Sequence, residues 1–224
     1  VFQMLHRRTD ALKPGDPVPE PLVSTSAFSL PENPEPNRTY ARFTNPTVEA
    51  TEARLADLED APTLLFPSGM ATYGALFMGI LKAGDRVLLL SDGYYAARNL
   101  VEEIVLPFEI ELDTCPAESI ANVPLEGIAL VVIESPSNPA LDVIDIAALA
   151  QRCHAVDFRR AGYTPVCTAL MQQPLDLGAD VVLCADTKAS GGHSDLLMGH
   201  VTSRDIALME RLLKVRNLMG GIPA

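Results

Sequence analysis

Basic tracts are nearly missing from this sequence. No run is longer than Arg7-Arg8 or Arg159-Arg160, and 29 acidic residues against 17 basic ones leave a formal charge of -12. Such a chain has little with which to collect a phosphate backbone, so no nucleic-acid partner is expected. Long apolar runs are missing as well. The longest nearly apolar stretch, residues 71–81, is too short to span a bilayer, so no membrane partner is expected. The first residues, VFQMLHRRTD, carry no apolar segment of secretory length, and a cytoplasmic protein is the expectation. The four cysteines, Cys115, Cys153, Cys167 and Cys184, form no CxxC pair and no Cys/His ligand cluster. Reduced, mostly buried thiols and no metal site are expected. No GxSxG elbow is present, and close neighbours such as Ser190, His193 and Asp195 rarely converge as a triad, which argues against hydrolase chemistry.

What is present reads as one folded α/β unit with an arm. The 224 residues are 48% hydrophobic and 21% charged, enough for a single large core but not for two full-sized domains. Residues 1–45 form an extended N-terminal arm, because Pro14, Pro17, Pro19, Pro21, Pro31, Pro34 and Pro36 recur too often for a helix. A partner subunit is one surface on which such an arm could lie. Regular structure begins at Asn45-Pro46, an N-cap followed by proline at the first helical position, and Val48, Thr51, Leu55 and Leu58 then mark one buried stripe. Strands are expected at 63–66, 86–90, 108–112, 128–133, 179–184 and 196–202. Helices are expected at 70–81, 95–104 and 144–152, with a last one capped by Ser203. Residues 217–224 read as a loop into a further element. Apolar, β-branched strands alternating with helices indicate a three-layer α/β fold with a mostly parallel sheet.

Ligands of open parallel sheets sit at the ends of the strands, so residues there are the candidates. Ser68-Gly69-Met70 leads from strand to helix and can offer N–H groups to a phosphate, although a plain tight turn looks the same. Lys188 follows the 179–184 strand and can form a Schiff base with a carbonyl cofactor, or can be a solvated surface lysine. Tyr94 and Tyr95 can stack on a planar cofactor or pack at the rim. Glu134 and Asn138 can orient a ligand or supply turn chemistry.

In combination, Tyr40-Ala41-Arg42-Phe43-Thr44-Asn45-Pro46-Thr47, Ser68-Gly69-Met70-Ala71, Asp92-Gly93-Tyr94, Glu134-Ser135-Pro136-Ser137-Asn138-Pro139 and Thr187-Lys188 with Gly192-His193-Ser194-Asp195 resemble the cystathionine gamma-synthase and gamma-lyase family. These are pyridoxal 5'-phosphate (PLP) enzymes of Cys/Met metabolism, and the resemblance covers roughly residues 20–223.

It implies a fold type I, PLP-dependent transferase-like large domain over 46–224, ending before a smaller C-terminal domain. It also implies elimination or replacement at the γ-carbon of a sulfur amino acid or activated homoserine. Lys188 would be the Schiff-base lysine and proton shuttle, and Tyr94 the ring-stacking tyrosine that also assists catalysis near the substrate amine. Ser68, Gly69, Met70 and Thr187 would serve the phosphate, and Asn138 the ring oxygen. Tyr40 and Arg42 would reach a neighbouring subunit's phosphate in a dimer or homotetramer.

Two positions depart from the family pattern. Tyr163 stands where the family places the aspartate that pairs with the pyridine nitrogen, with Asp157 the nearest acidic substitute, and Ala185 replaces a phosphate-binding serine. The alternative is therefore a catalytically impaired or noncatalytic relative serving as a structural or partner-binding subunit.

Overall fold

The computed structural model describes residues 12–30, 39–156, 160–164 and 168–223. Seven strands form one sheet in the order β1-β7-β6-β5-β4-β2-β3. They are β1 (Thr63–Phe66), β2 (Arg86–Leu90), β3 (Glu111–Cys115), β4 (Ile128–Glu134), β5 (Arg160–Thr164), β6 (Val181–Ala185) and β7 (Gly199–Thr202). The pairs among β3, β2, β4, β5 and β6 are parallel, while β7 runs antiparallel to both β6 and β1. The mostly parallel sheet expected from the sequence is what forms. Among the described residues five α-helices pack around it: α1 (Pro46–Glu59), α2 (Gly69–Ile80), α3 (Tyr95–Leu100), α4 (Ile146–Ala155) and α5 (Ile206–Met219).

The three layers follow from alternation along the strands, whose successive side chains point to opposite faces. Val87, Leu89, Leu130, Val132, Val181 and Leu183 pack with Leu76, Phe77 and Leu212 of α2 and α5. The alternate residues Leu88, Leu90, Val131, Ile133 and Val182 pack with Leu149 and Cys153 of α4. β1 is an edge strand, and unpaired edge groups invite pairing with other chains. Here Glu52 Oε1 accepts from Leu65 N–H at 2.8 Å and Arg216 Nη1 donates to Leu65 O at 3.0 Å, so the pair occupies backbone groups that the strand would otherwise leave open.

Several expected boundaries move for local reasons. The helix expected at 95–104 is α-helical only to Leu100, continues as a π-turn (Val101–Val105) and tightens into a 3-10 turn (Leu106–Phe108). Pro107 has no N–H for the helical ladder, and β3 accordingly starts at Glu111 instead of residue 108. The strand expected at 196–202 begins at Gly199, and Leu197 is an exposed loop residue. Asp205, not Ser203, caps α5 by accepting from Leu208 N–H, whereas Ser203 Oγ donates to Asp180 O at 2.6 Å. The expected loop at 217–224 is helical through Met219 and ends at Gly220, whose φ of 70° suits a residue without Cβ. Among the described residues no helix is long and apolar enough to cross a membrane. Of the described arm residues, Ala27 and Tyr40 form an isolated bridge and none is helical before Pro46.

Candidate active site

Because β7 is antiparallel to both its neighbours, β1 runs parallel to β6. The ends of β1, β2, β4 and β6 therefore meet at one edge of the sheet. The loops that leave them line a cavity of about 500 Å³, bounded by Gly69, Met70, Tyr94, Glu134, Asn138 and Lys188 among others. Ser68, Ala185 and Thr187 also border it.

One end of the cavity is built by α2. Ser68 Oγ caps the helix by accepting from Ala71 N–H at 3.1 Å. The first-turn N–H groups of Gly69 and Met70 have no intrahelical acceptor, and they lie at the positive end of the helix dipole. Small residues bring the strands close to this turn. A Cβ on Gly199 would lie 2.8 Å from Gly69 N and 2.7 Å from Cys184 O, so only glycine lets β7 start here. Thr187 Oγ1 is at the long distance of 3.4 Å from both Met198 O and Met198 N.

Lys188 is exposed at the cavity rim, on a turn in which its N–H donates to Ala185 O at 3.0 Å and its carbonyl accepts from Gly192 N–H at 2.9 Å. Across the cavity, Glu134 Oε2 accepts from Tyr94 N–H at 3.1 Å and Asn138 N–H at 3.0 Å, so one carboxylate joins the two loops. Burial pushes the Glu134 carboxyl upward, against the opposing pull of those two N–H groups and of Lys188. Arg98 Nη1 holds the Tyr94 loop from behind, donating to Leu90 O and Gly93 O at 3.0 and 2.8 Å. Tyr95 meets the Tyr94 ring edge-on at 5.4 Å between centroids.

Not every candidate gathers here. Tyr40 and Arg42 line a separate cavity of about 700 Å³ with Leu65, Met198 and Ile222. Arg42 Nη1 donates to Asn217 O at 2.5 Å, and its guanidinium lies 4.4 Å from the Phe43 ring centroid. The backbone of Tyr163 pairs with Ile133 and Val182 in the centre of the sheet, while Asp157 lies outside the described residues. Among the described residues no hydrogen bond joins Ser190, His193 and Asp195; His193 Nδ1 faces Gly191 O at 3.0 Å. Cys115, Cys153 and Cys184 are free and buried as expected, and Cys167 lies outside the described residues. Sequence reasoning missed a buried group beside the cavity, formed by Glu59, Cys184, Asp186 and His200. Its signal was a histidine inside one expected strand and an aspartate two residues after another.

The sequence pattern of the Cys/Met metabolism PLP-dependent enzymes matches residues 3–224. The chain belongs to this family. It is 38% identical to a putative cystathionine gamma-lyase of Streptomyces coelicolor over 96% of this chain and 58% of that protein. It is 36% identical to an O-succinylhomoserine sulfhydrylase of Pseudomonas aeruginosa over 78% of this chain and 44% of that protein. The structure of cystathionine gamma synthase from Xanthomonas oryzae pv. oryzae in complex with cystathionine superposes with a TM-score of 0.92 at 27% identity, covering all of this chain and 59% of that one. The chain thus spans about half the length of the relatives it matches.

The family's cofactor can be tested against these residues. The unbonded first-turn N–H groups suit its phosphate, the cavity volume suits its ring, and the amine of Lys188 suits its aldehyde. Those ends fit. At position 163, where the resemblance would place the carboxylate for the ring nitrogen, the sequence has a neutral phenol.

Proposed function

We propose that this chain is the cofactor-binding part of a PLP enzyme that eliminates or replaces a substituent at the γ-carbon of a sulfur amino acid or activated homoserine. The observation that supports this most is the convergence of Lys188, Gly69, Met70, Tyr94 and Asn138 on one cavity at the sheet edge. When bound, the cofactor supplies an electron sink for the charge left as protons depart from substrate carbons. Gly69 and Met70 hold its phosphate through backbone N–H groups, and Ser68 and Thr187 complete that end. The amine of Lys188 would be the attachment point for the cofactor's aldehyde and would hold and move protons near the substrate carbons. Tyr94 covers the ring face on a loop fixed by Glu134 and Arg98, and Asn138 orients the ring oxygen.

Residues 1–45 serve as the arm and 46–224 as the cofactor domain. Because Tyr40 and Arg42 stand apart from the Lys188 cavity, their role is to complete the phosphate site of a second copy in a dimer or tetramer. The decisive experiment is borohydride reduction of the chain with pyridoxal phosphate, followed by peptide mass analysis. One pyridoxyl group on Lys188, and none on Lys13, Lys82 or Lys214, is the expected result. Folded protein that fixes no cofactor, or fixes it elsewhere, overturns the reading.

Tyr163 favours a second reading, a relative that binds the cofactor without turnover and serves as a structural subunit. Turnover of cystathionine or a homoserine ester that disappears in Lys188→Ala eliminates it.

A further inference from the structure

Four titratable side chains are packed together on β6, β7 and the end of α1. His200 is 1% exposed, and its partner across the β6–β7 ladder is Cys184. Its Nδ1 lies 2.9 Å from both carboxylate oxygens of Asp186, which is fully buried. Its Nε2 lies 3.3 Å from Oε1 of Glu59, which is 5% exposed. A neutral imidazole has one N–H and one lone pair. With a carboxylate at each nitrogen, one lone pair would confront an oxygen; only a ring with two N–H groups donates to both. Two buried carboxylates without a cation would also be costly. Glu59 adds to the need, because it closes α1 at the end where the helix dipole disfavours an anion.

The cluster is tied to the cavity by sequence. Asp186 directly precedes Thr187 and Lys188, and its carbonyl accepts from Gly191 N–H at 2.6 Å, which closes the turn that carries the lysine. We infer that His200 is a positioning residue. As an imidazolium between Asp186 and Glu59, it clamps the Lys188 turn to β7 and to the end of α1. It acts through Asp186 and does not touch the cofactor. The surroundings agree in direction: burial alone would lower the His200 pKa, but its hydrogen-bonding neighbours, the Cys184 sulfur and the Asp186 and Glu59 carboxylates, raise it well above the ordinary value. Burial also pushes the Cys184 thiol up, so it remains a neutral member of the group.

The first test needs no cofactor. Nitrogen-15 NMR of the four histidines should show one ring that keeps both nitrogens protonated past the ordinary titration near pH 6.5, and this signal should be absent in His200→Gln. A single neutral tautomer of His200 at pH 7 overturns the inference. So does stoichiometric zinc retained by the wild type and lost in His200→Gln, since Nε2 would then be a ligand and not a donor.

The second test rests on the proposed role of Lys188. At saturating pyridoxal phosphate, His200→Gln and Asp186→Asn should slow borohydride-trapped fixation at Lys188 by roughly tenfold to a hundredfold, while the exposed Lys82 stays unlabelled. If a single variant does not fold, the combined Glu59→Gln, Asp186→Asn and His200→Gln variant removes the charges of this cluster and serves instead. Folded protein that fixes cofactor at the wild-type rate overturns the positioning role. Failure of wild-type fixation defeats the Lys188 reading, while the NMR result still decides the charge of His200.

Discussion

Ala185 approaches the first turn of α2 so closely that a Cβ on Gly69 would lie 2.8 Å from Ala185 Cβ and 3.3 Å from its Cα. The second contact is with backbone, so neither partner can rotate out of the way. Gly69→Ala therefore has to move the helix end or the end of β6. Overpacking of this kind costs about 1–3 kcal/mol, and the displaced N–H groups no longer converge on a phosphate. A lower urea midpoint together with at least roughly tenfold weaker pyridoxal phosphate binding, read by fluorescence titration, is expected. Unchanged affinity would mean that this turn does not hold the phosphate.

Ala185→Ser makes the opposite prediction at the same contact. The serine adds one Oγ beside the α2 terminus, with room left by the glycine at 69. A hydrogen bond to a charged group contributes about 1.5–3 kcal/mol, so the titration should show roughly tenfold to a hundredfold tighter cofactor binding. Equal or weaker binding would place the phosphate elsewhere.

Much of this site is legible in the amino-acid sequence, and the reasons are local. Asn45-Pro46 and Ser68 announce helix starts because capping needs an acceptor one residue before the helix, and both do cap. β1 and β2 sit where their apolar runs place them. The shift of β3 turned on Pro107, whose effect on the preceding turn depends on how that helix end packs. The His200 cluster was not legible. No one-dimensional pattern states that β6 pairs with β7, and without that pairing Cys184, Asp186 and His200 are unrelated polar residues. Tyr40 and Arg42 were legible only as a motif, because their cavity is assembled from the arm, α1 and the residues after α5.

The charge of His200 carries a pH signature. Its folded pKa is raised, so the folded protein holds this proton after the unfolded chain has released it, and stability from this group falls as pH rises. The contribution is complete below the ordinary histidine value near pH 6.5 and is lost progressively above it, until the folded ring itself titrates. Urea midpoints measured between pH 6 and 9 should decline for the wild type, and the decline should be shallower in His200→Gln. Parallel curves would show that His200 does not hold the extra proton.

The buried thiols make a further prediction. Burial pushes Cys153 up to about 11 and also raises Cys115 and Cys184, so at neutral pH none of the three presents the reactive thiolate. With Cys167 replaced by serine, a disulfide reagent at pH 8 should label native protein only as fast as it unfolds, and label all three thiols in urea. A fast native thiol would reveal a local opening at its strand or helix.

Tyr163 offers the last prediction. Its backbone lies in β5 between Ile133 and Val182, in the centre of the sheet. A phenol titrates near pH 10 and cannot hold a pyridine proton as a carboxylate would, so turnover by the native chain should be slow. Tyr163→Asp supplies that carboxylate. Without a positive partner, a carboxylate in this part of the sheet is costly, so the apoprotein should melt lower than the wild type. Cofactor should then restore more stability to the variant than to the wild type, because the protonated ring provides the missing partner. The expected pattern is a lower apo melting temperature, a larger upward shift with pyridoxal phosphate and faster release of keto acid from a sulfur amino acid. A variant whose shift with cofactor is no larger than that of the wild type would show that residue 163 does not meet the ring nitrogen.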